Sequence, residues 1–490
     1  MNPLKGSENI DTLKDMKLTK DIKNNKEIFL QKLPIEKSFD VVGREVLIGQ
    51  REAYLVFIDG FAKDDIMLWI LEVLQSLQEE DIASNTIAIL MKRKIGYIEV
   101  GNFSDVKQAV SSVLAGAVAL IIDGQEEGII IDAREYPVRG PQEPDLEKVT
   151  RGSRDGLVET IIFNTALIRR RLRDPNLIFE IKSVGKRSQT DVVIAYIKDL
   201  ADEKLLKEIQ DKIDGIDVGA LVMAEKTLEE LIIKKHWYNP LPQAKFSERP
   251  DVVAAHLMEG HIAVIVDTSP SVMILPVTIF HFTQHAEDYY QNITVGTYIR
   301  WIRFLGMFSA FILLPLWLLL VNNKQYLPDF LQFLGPKESS NIPLFLQFIL
   351  LEFGLDLLRI SSIHTPSALT TSLGIIGGLM LSEFAVKVGL FVPETVLYMA
   401  LAGIGTFATP SVEFSMAIRI FRLLLLTLTG FFNLYGFAAA ILIILVITYK
   451  SSSFKHGKKY TWPLFPFEWK PLSHILFRRP IPEIKDSKKK

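Results

Sequence analysis

Two long apolar stretches near the end of the sequence constrain this chain more than any other feature. Residues 304–321, FLGMFSAFILLPLWLLLV, carry no charge over 18 positions, which is about the shortest run that crosses a bilayer as a helix. Residues 420–449 are uncharged apart from Arg422. This run exceeds the about 20 residues that one crossing needs, so a single helix here must tilt, bend or protrude. We therefore predict an α-helical polytopic membrane domain over residues 298–450.

Two shorter apolar segments between these runs, residues 370–392 and 394–410, are also long enough to cross. The pattern thus predicts about four spans, with a separate amphipathic helix over residues 343–362. Lysine and arginine crowd the sequence after residue 450, and cytoplasmic segments are enriched in these residues. Since the N-terminus shows no apolar signal segment, we expect both the N- and C-termini on the cytoplasmic side.

The first 290 residues show the alternating strand and helix patterns of an α/β cytoplasmic region. We divide it into two subdomains, residues 35–145 and 150–290, at the proline-rich segment YPVRGPQEP. Residues 1–34 are polar and aperiodic, so we expect a mobile polar tail. Residues 451–490 are expected to form a basic cytoplasmic tail.

Individual elements follow from hydrophobic periodicity and turn residues. In the first subdomain EAYLVFIDG and IGYIEV predict strands, FSDVKQAVSSVLAG predicts a helix with Ser104 as its N-cap, and AVALIID with GIIIDAR predicts a hairpin. In the second, VVIAYI predicts a strand, and HIAVIVD with SVMILP predicts a hairpin. The RRRLR run at residues 169–173 favours a solvated helix face or a subunit contact over a phosphate site.

The predicted helix at 343–362 carries three ionisable residues in an apolar setting: Glu352, Asp356 and Arg359. At about 100° per residue they fall within about 60° of one another. A charge facing hydrocarbon costs about 2.5–3.5 kcal/mol on insertion scales, so we expect this stripe to face water, a pore or another protein surface. Two arrangements remain open, an interfacial or re-entrant helix and a helix facing a pore or vestibule. In either, we expect Arg359 to be held by the two acids.

Four further charged residues interrupt the apolar region: Glu383, Lys387, Arg419 and Arg422. Glu383 and Lys387 have i,i+4 spacing inside a candidate span, and the two arginines stand at the head of the last span. Ionisable residues in spans favour a conduction or transport path, or a polar subunit interface, over a passive anchor. Together with the three residues of the stripe, these four are our candidate pore or polar membrane residues.

Other chemistries lack support in the sequence. The chain has no cysteine, which excludes thiolate catalysis and cysteine-based metal sites. Walker, dinucleotide-binding and serine-elbow motifs are absent. His281 and His285 have helical spacing without the glutamate of the zinc-protease motif, and His256 with His261 is a second weak pair. We therefore predict no enzyme, no cofactor and no metal, and the net charge of −2 argues against a nucleic-acid partner.

Four long segments carry a resemblance to a known family. They are RGSRDGLVETIIFNTALIRRRLRD, ERPDVVAAHLMEGHIAVIVDTSPSVMILP, YYQNITVGTYIRWIRFLG and GTFATPSVEFSMAIRIFRLLL. On these segments the chain resembles the A-subunit family of bacterial spore germinant receptors. Nutrient-receptor subunits usually read RGPREGF where this chain has RGSRDGL. That difference, with QHAEDYY, FLGPKE and WPLFPFEW, is similar to an auxiliary paralogue from the operon of the spore dipicolinic-acid channel.

The resemblance implies a multi-pass protein of the inner spore membrane with a cytoplasmic two-part α/β region. It also implies a role in spore germination as an oligomeric ion channel, or channel-like signalling component, that promotes ion release. The implied partners are the membrane, further copies in a homo-oligomer such as a pentamer, and a small membrane protein or other germination proteins. A secondary transporter and a non-conducting scaffold for a germination complex remain as alternatives.

Overall fold

The first sheet contains five short strands, β1 (Val41–Ile48), β2 (Arg51–Ile58), β3 (Val100–Phe103), β4 (Val118–Ile122) and β5 (Gly128–Ile131). All neighbours are antiparallel, in the order β1-β2-β4-β5-β3. The loop joining β1 to β2 is Gly49–Gln50, with φ of 52° and 65°, as a two-residue hairpin turn requires. The computed structural model describes residues 16–82, 86–96, 99–134, 147, 149–337, 341–364, 386–452 and 454–479.

Helices cover both faces of this sheet: α1 (Ile22–Lys32), α2 (Asp64–Gln75) and α3 (Val106–Leu114). Successive side chains of a strand point to opposite faces, so Val56 of β2 packs with α1 and α3, whereas Leu55 packs with α2. The short helix Thr86–Ile89 and the π-helical turn Leu90–Lys94 extend the layer on the α2 side. The first unit is thus a three-layered sandwich.

Helix α1 lies inside the segment that we expected to be a mobile tail. Its Phe29 is fully buried in the core, and Leu33 directly after the helix is buried beside it. The ordered unit therefore begins before residue 35, while residues 1–15 lie outside the described residues. Hydrophobic periodicity did not predict this helix, because the helix buries only a narrow face and that face includes the polar Asn25.

Two local details of the first unit also differ from the prediction. Strand β3 begins at Val100, the last residue of the predicted strand IGYIEV. Asp105, rather than Ser104, is the N-cap of α3, and its carboxylate accepts a hydrogen bond from the Lys107 amide at 2.9 Å. An aspartate cap also places its negative charge at the positive end of the helix dipole. The predicted hairpin from AVALIID to GIIIDAR is confirmed as β4 and β5.

The second sheet contains β6 (Leu177–Val184), β7 (Thr190–Ile197), β8 (Lys245–Ser247), β9 (Ile262–Val266) and β10 (Val272–Leu275). Its order is β6-β7-β9-β10-β8. One face packs on α5 (Glu203–Asp214) and α6 (Ala224–Ile232), and the other on α4 (Ile161–Arg171) and α7 (Pro250–Met258). The predicted hairpin from HIAVIVD to SVMILP is confirmed as β9 and β10.

The two units repeat one topology, including individual hydrogen bonds. Asn25 in α1 and Asn164 in α4 each bond both backbone groups of the residue six positions earlier, at 2.6–2.9 Å. The carboxylates of Asp123 after β4 and Asp267 after β9 accept from the first amide of the same two helices, each at 3.1 Å. The second unit is therefore a structural repeat of the first.

A buried ion pair joins the two units. Arg169 of α4 is fully buried, and its Nε donates to the Asp40 carboxylate of the first unit at 2.8 Å. Arg171 is partly buried and contacts Asp155 at 2.6 Å. The RRRLR run is therefore only partly the solvated face that we favoured, since Arg169 lies inside the molecule.

Four longer helices form a bundle: α8 (Ile293–Asn322), α9 (Leu344–His364), α10 (Pro393–Phe407) and α11 (Val412–Lys450). We define its near end as the end beside the second unit. Trp317 late in α8 contacts Tyr398 early in α10, with ring centroids 5.0 Å apart, and Gly306 packs on Gly405 late in α10. Hence α8 and α10 are antiparallel, and α10 runs from the far end to the near end.

Helix α11 is interrupted at Asn433, whose φ of 51° and ψ of −128° are non-helical. The chain folds back there, because Gly436 packs against the backbone of Leu428. The helix then returns to the near end, where the Nδ2 of Asn239 in the second unit donates to the Ser451 hydroxyl at 2.9 Å. The segment that we expected to be one tilted span is therefore two antiparallel rods. Only α8 and α11 are long and apolar enough to count as candidate spans within the described chain.

The C-terminal segment is more ordered than the basic tail that we expected. After α11 the amides of Lys455 and His456 donate to Glu208 of α5 at 3.1–3.2 Å. Tyr460 is buried, and its carbonyl accepts from the Ile279 amide at 2.9 Å. A last helix, α12 (Trp469–Leu476), follows. Residues 480–490 lie outside the described residues. The remaining short turns are Glu79–Ile82, Ile279–Phe282, Glu287–Tyr290, Lys324–Tyr326 and Asp329–Leu334.

Candidate functional site

Glu352 lies at the centre of a charge cluster inside the bundle. Its side chain on α9 is only 1% exposed and receives a two-pronged ion pair from Arg422 of α11. One of these hydrogen bonds, from Nη2 to Oε2, measures 2.9 Å. The Nε of Arg419 approaches the same carboxylate at 3.5 Å. Two positive guanidinium groups of α11 therefore meet one negative carboxylate of α9. Arg422 and Glu352 lie 70 residues apart in the sequence.

The Arg422 guanidinium also contacts the two remaining helices of the bundle. Its Nη1 donates to the Ala310 carbonyl of α8 at 2.5 Å and approaches the Thr406 hydroxyl of α10 at 3.5 Å. A single side chain thereby links α8, α9, α10 and α11. Because an arginine carries five N–H donors in a rigid plane, it can serve several acceptors at once in this way.

Asp356 completes the cluster one turn further along α9. Its carboxylate pairs with the Nη2 of Arg419 at 2.5 Å, and its side chain is 30% exposed. With Glu352, Arg419 and Arg422 it forms what we term the bundle charge cluster. Two acids and two arginines give a formal charge of −2 + 2 = 0. The cluster is therefore neutral, which limits the cost of burying it.

The two acids of α9 do not hold Arg359, as we had expected. The acids of α9 pair with the arginines of α11, and the Nη1 of Arg359 lies 3.0 Å from the Met416 sulfur. Neither an interfacial helix nor a pore-facing helix describes Glu352, which points into the bundle. The physical reason is that a carboxylate in an apolar setting gains more from a buried guanidinium on a neighbouring helix than from a residue two turns away.

The structure leaves the other predicted pair untested. Lys387 is exposed in a short helical stretch beginning at residue 386, and Glu383 lies outside the described residues. The candidate residues that the structure does bring together are therefore the four of the bundle charge cluster.

A second ion-pair cluster, at the near end, was missed by the sequence analysis. Asp288 is fully buried and pairs with Arg300 and Arg303 of α8, at 3.3 and 2.7 Å. The Nη1 of Arg300 also donates to the carbonyls of His474 and Ile475 at 3.0 and 2.9 Å. Arg300 thus fixes the end of α12 to the base of α8.

Three histidines of the second unit also meet at the near end. The ring centroids of His256, His261 and His281 lie 5.1–5.6 Å apart. Burial lowers the pKa of all three, that of His261 to about 4, and positive neighbours lower it further. His281 thus meets the two histidines of the other weak pair, His256 and His261. Across the described ranges, no group of three or more histidine, aspartate or glutamate side chains is arranged to hold a metal ion.

A cavity of about 260 Å³ lies between the second unit and the start of α11. Lys226, Lys245 and His281 line its side on the second unit, and Ser411 and Glu413 line its side on α11. The walls thus come from both bodies, so movement of the second unit relative to the bundle would change the cavity.

The chain is similar in sequence to known proteins over nearly its whole length. Residues 29–490 match the family described as Bacillus/Clostridium GerA spore germination protein. The chain is 40% identical over 461 residues to stage V sporulation protein AF of Bacillus subtilis (strain 168), covering 94% of this chain and 93% of that one. It is 31% identical over 453 residues to spore germination protein GerLA of Bacillus cereus, covering 91% of each.

Among solved structures, the chain is similar to the crystal structure of the N-terminal domain of the A subunit of the Bacillus megaterium spore germinant receptor GerK3. The identity is 25%, with 53% of this chain and 96% of that chain covered and a TM-score of 0.42. The sequence matches span nearly the whole chain and include the bundle as well as the α/β units. This chain therefore belongs to the GerA family of Bacillus and Clostridium spore germination proteins.

Proposed function

We propose that the chain acts in spore germination as an oligomeric ion channel, or channel-like signalling component, in the inner spore membrane. The observation that carries this proposal is the bundle charge cluster, in which Arg422 links four helices through Glu352, the Ala310 carbonyl and the Thr406 hydroxyl. Ionisable residues inside membrane helices are costly and mark conduction paths or switching elements. Family membership supports the germination role, because relatives carry the names spore germination protein and stage V sporulation protein.

The cluster reaches the bundle surface at Asp356, which is 30% exposed. Exposed Leu350, Phe353 and Leu357 flank it on α9. A neutral, mostly apolar helix face with one polar position suits contact with further copies of the chain in lipid. We place the subunit contacts or the conduction path of a homo-oligomer, such as a pentamer, along this face. A small membrane protein or other germination proteins are the further partners.

The bundle also suggests a revised topology. We propose that the near end faces the cytoplasm and that both termini lie on that side. Four crossings were expected, but α11 reverses at Asn433, and α9, with 21 residues, is about 31 Å long at 1.5 Å per residue. Phe345 early in α9 packs on Gly430 near the reversal of α11, so α9 runs from the far end to the near end, as α10 does. The return between them falls to the segment predicted as a span at residues 370–392, most of which lies outside the described residues. We therefore propose six crossings in place of four.

Single cysteines test this topology, because the chain contains none of its own. We expect a cysteine at Ser487 to resist an impermeant thiol reagent added outside intact cells, and a cysteine at Tyr326, beside the far end, to react. Labelling of the Ser487 site from outside would contradict the cytoplasmic placement of the C-terminus.

Conductance of the purified full-length chain in planar bilayers tests the proposed activity. We expect discrete current steps, reduced by Asp356→Asn because a partly exposed carboxylate beside the path attracts cations. Glu72→Gln, an exposed acid on α2 of the first unit, is the matched control and should leave the currents unchanged. Inserted protein without any current would leave the scaffold alternative, and solute-coupled flux without current steps would favour a transporter.

A further inference from the structure

Large apolar side chains are exposed at the near end, outside the helices of the bundle. Trp237 is 97% exposed and Tyr238 50% exposed, both in the loop after α6. In the C-terminal segment Phe465, Phe467 and Trp469 are 61–66% exposed. A tryptophan with nearly all of its surface in water is costly, because burying an aromatic ring releases about 25 cal/mol for each Å². We term these five residues the aromatic collar.

Contacts place both parts of the collar beside the near ends of the bundle helices. Asn239, two residues after Trp237, bonds Ser451 directly after α11. The ring of Phe465 lies 6.4 Å from that of Tyr449 in the last turn of α11. On the other side, Phe477 after α12 lies 5.5 Å from Trp301 in α8. The collar therefore continues the exposed apolar surface of two candidate spans.

The charges around the collar are predominantly positive. Residues 450–470 contain five lysines and one glutamate, and the exposed Lys234 lies three residues before Trp237. The Nζ of Lys458 lies 3.7 Å from the ring centroid of Trp462. Lysine near a membrane surface is attracted by anionic lipid, and tryptophan and tyrosine are enriched where headgroups meet the acyl chains.

We propose that the aromatic collar inserts into the headgroup region of the near leaflet and that its lysines bind anionic phospholipid. The second α/β unit is then seated directly on the bilayer, in addition to its connection through the chain. The C-terminal segment lies at the membrane surface instead of extending away from it. This inference rests on the membrane placement proposed above.

Nitroxide labels on single cysteines test the proposal in the full-length chain, reconstituted in phosphatidylcholine vesicles with and without phosphatidylglycerol. The collar positions are Tyr238→Cys and Phe467→Cys. Leu68→Cys on α2, 61% exposed, is the aqueous control, and Phe308→Cys on α8, 59% exposed, is the lipid control. All four side chains are exposed, so none of the substitutions removes a core residue. The measurement is the accessibility of each label to oxygen relative to a water-soluble nickel complex.

We expect the ratio of oxygen to nickel accessibility at both collar positions to lie between those at Leu68 and Phe308. Lys458→Gln with Lys459→Gln should abolish the rise in this ratio that phosphatidylglycerol causes at Phe467. If the accessibility ratios at Tyr238 and Phe467 are as low as in water while the ratio at Phe308 is that of lipid, the proposed insertion of the collar is wrong. The membrane placement of the bundle then still holds. Labels shielded from both reagents also overturn it, since they indicate a protein contact. A water-like Phe308 overturns the membrane placement and the collar together.

Discussion

Asn323 and Asn433 exchange two side-chain hydrogen bonds at the far end of the bundle, 2.6 Å in one direction and 3.0 Å in the other. The first residue follows the end of α8, and the second is the reversal point of α11. An asparagine tolerates positive φ better than most residues and can bond both ways through its amide. The pair thus fixes where the last long apolar segment turns back.

We expect Asn433→Ala to be less stable than Asn323→Ala. Both variants lose the paired hydrogen bonds, worth about 0.5–1.5 kcal/mol each, but only Asn433→Ala also puts a residue that tolerates positive φ less well than asparagine at a φ of 51°. Asn433→Gly is the matched control and should resemble Asn323→Ala. Thermal unfolding of the full-length chain in detergent measures the order, and equal melting temperatures for the three variants would argue against the reversal.

Removing one member of the bundle charge cluster should destabilise the chain strongly. Arg422→Gln leaves Glu352 buried without its two-pronged partner, and breaking a buried pair in this way costs about 3–5 kcal/mol. Adding Glu352→Gln should recover part of that loss, because a neutral pair of amides can hydrogen-bond. Arg359→Gln, at a half-buried position, should cost less than Arg422→Gln, because it leaves both acids of the cluster paired.

A double-mutant cycle on melting temperature and on membrane abundance tests this coupling. Additive losses from the two cluster substitutions would show that the ion pair is not a unit. Asp356→Asn should keep normal abundance, since its side chain is partly exposed, so any change in ion release by that variant would reflect function.

The histidine triad should make the second unit less stable in acid. In the folded chain the pKa of His261 is about 4, and burial likewise lowers the pKa of His256 and His281 below the ordinary 6.5. The unfolded chain therefore binds protons that the folded chain does not as pH falls below 6.5. Stability present above that pH is lost on acidification, by about 1.4 kcal/mol per pH unit for each histidine.

For His261 alone, the loss reaches about 3 kcal/mol by pH 4. His261→Gln should flatten the decline of melting temperature between pH 6.5 and 4 while lowering stability at pH 7.5. His236, in the exposed loop of the second unit, provides the control, and His236→Gln should leave the pH slope unchanged. An unchanged slope in His261→Gln would show that the folded chain protonates this ring near its ordinary pKa.

The repeated units supply a prediction about backbone strain. Thr268 and Gly124 occupy equivalent positions after β9 and β4, with φ of 71° and 80°, and each amide donates to a carbonyl ahead of the paired helix at 2.7–2.8 Å. A β-branched residue at positive φ is strained, by about 1–2 kcal/mol. We expect Thr268→Gly to stabilise the chain, with a gain no larger than that, and Gly124→Thr to destabilise it. Both are measured by denaturant unfolding, and a loss of stability in Thr268→Gly would contradict the assignment.

Much of the fold was predictable from periodicity. The helix α3, the two hairpins β4–β5 and β9–β10, and the two apolar runs all follow from local patterns of apolar residues. Such patterns are strong because each element buries one regular face. The family motifs were also local, and the comparisons confirmed them.

The sequence by itself determined where the apolar runs lie, which residues in them are charged, and which family the chain belongs to. Tertiary structure alone decided that Glu352 pairs with Arg422 and that α11 turns back at Asn433. It also decided that α1 packs into the first core. The reason is that charge pairing and chain reversal depend on contacts between segments far apart in the chain. Helical spacing relates only residues within a few turns of the same helix. It therefore favoured Arg359, rather than the two arginines of α11, as the partner of the acids on α9.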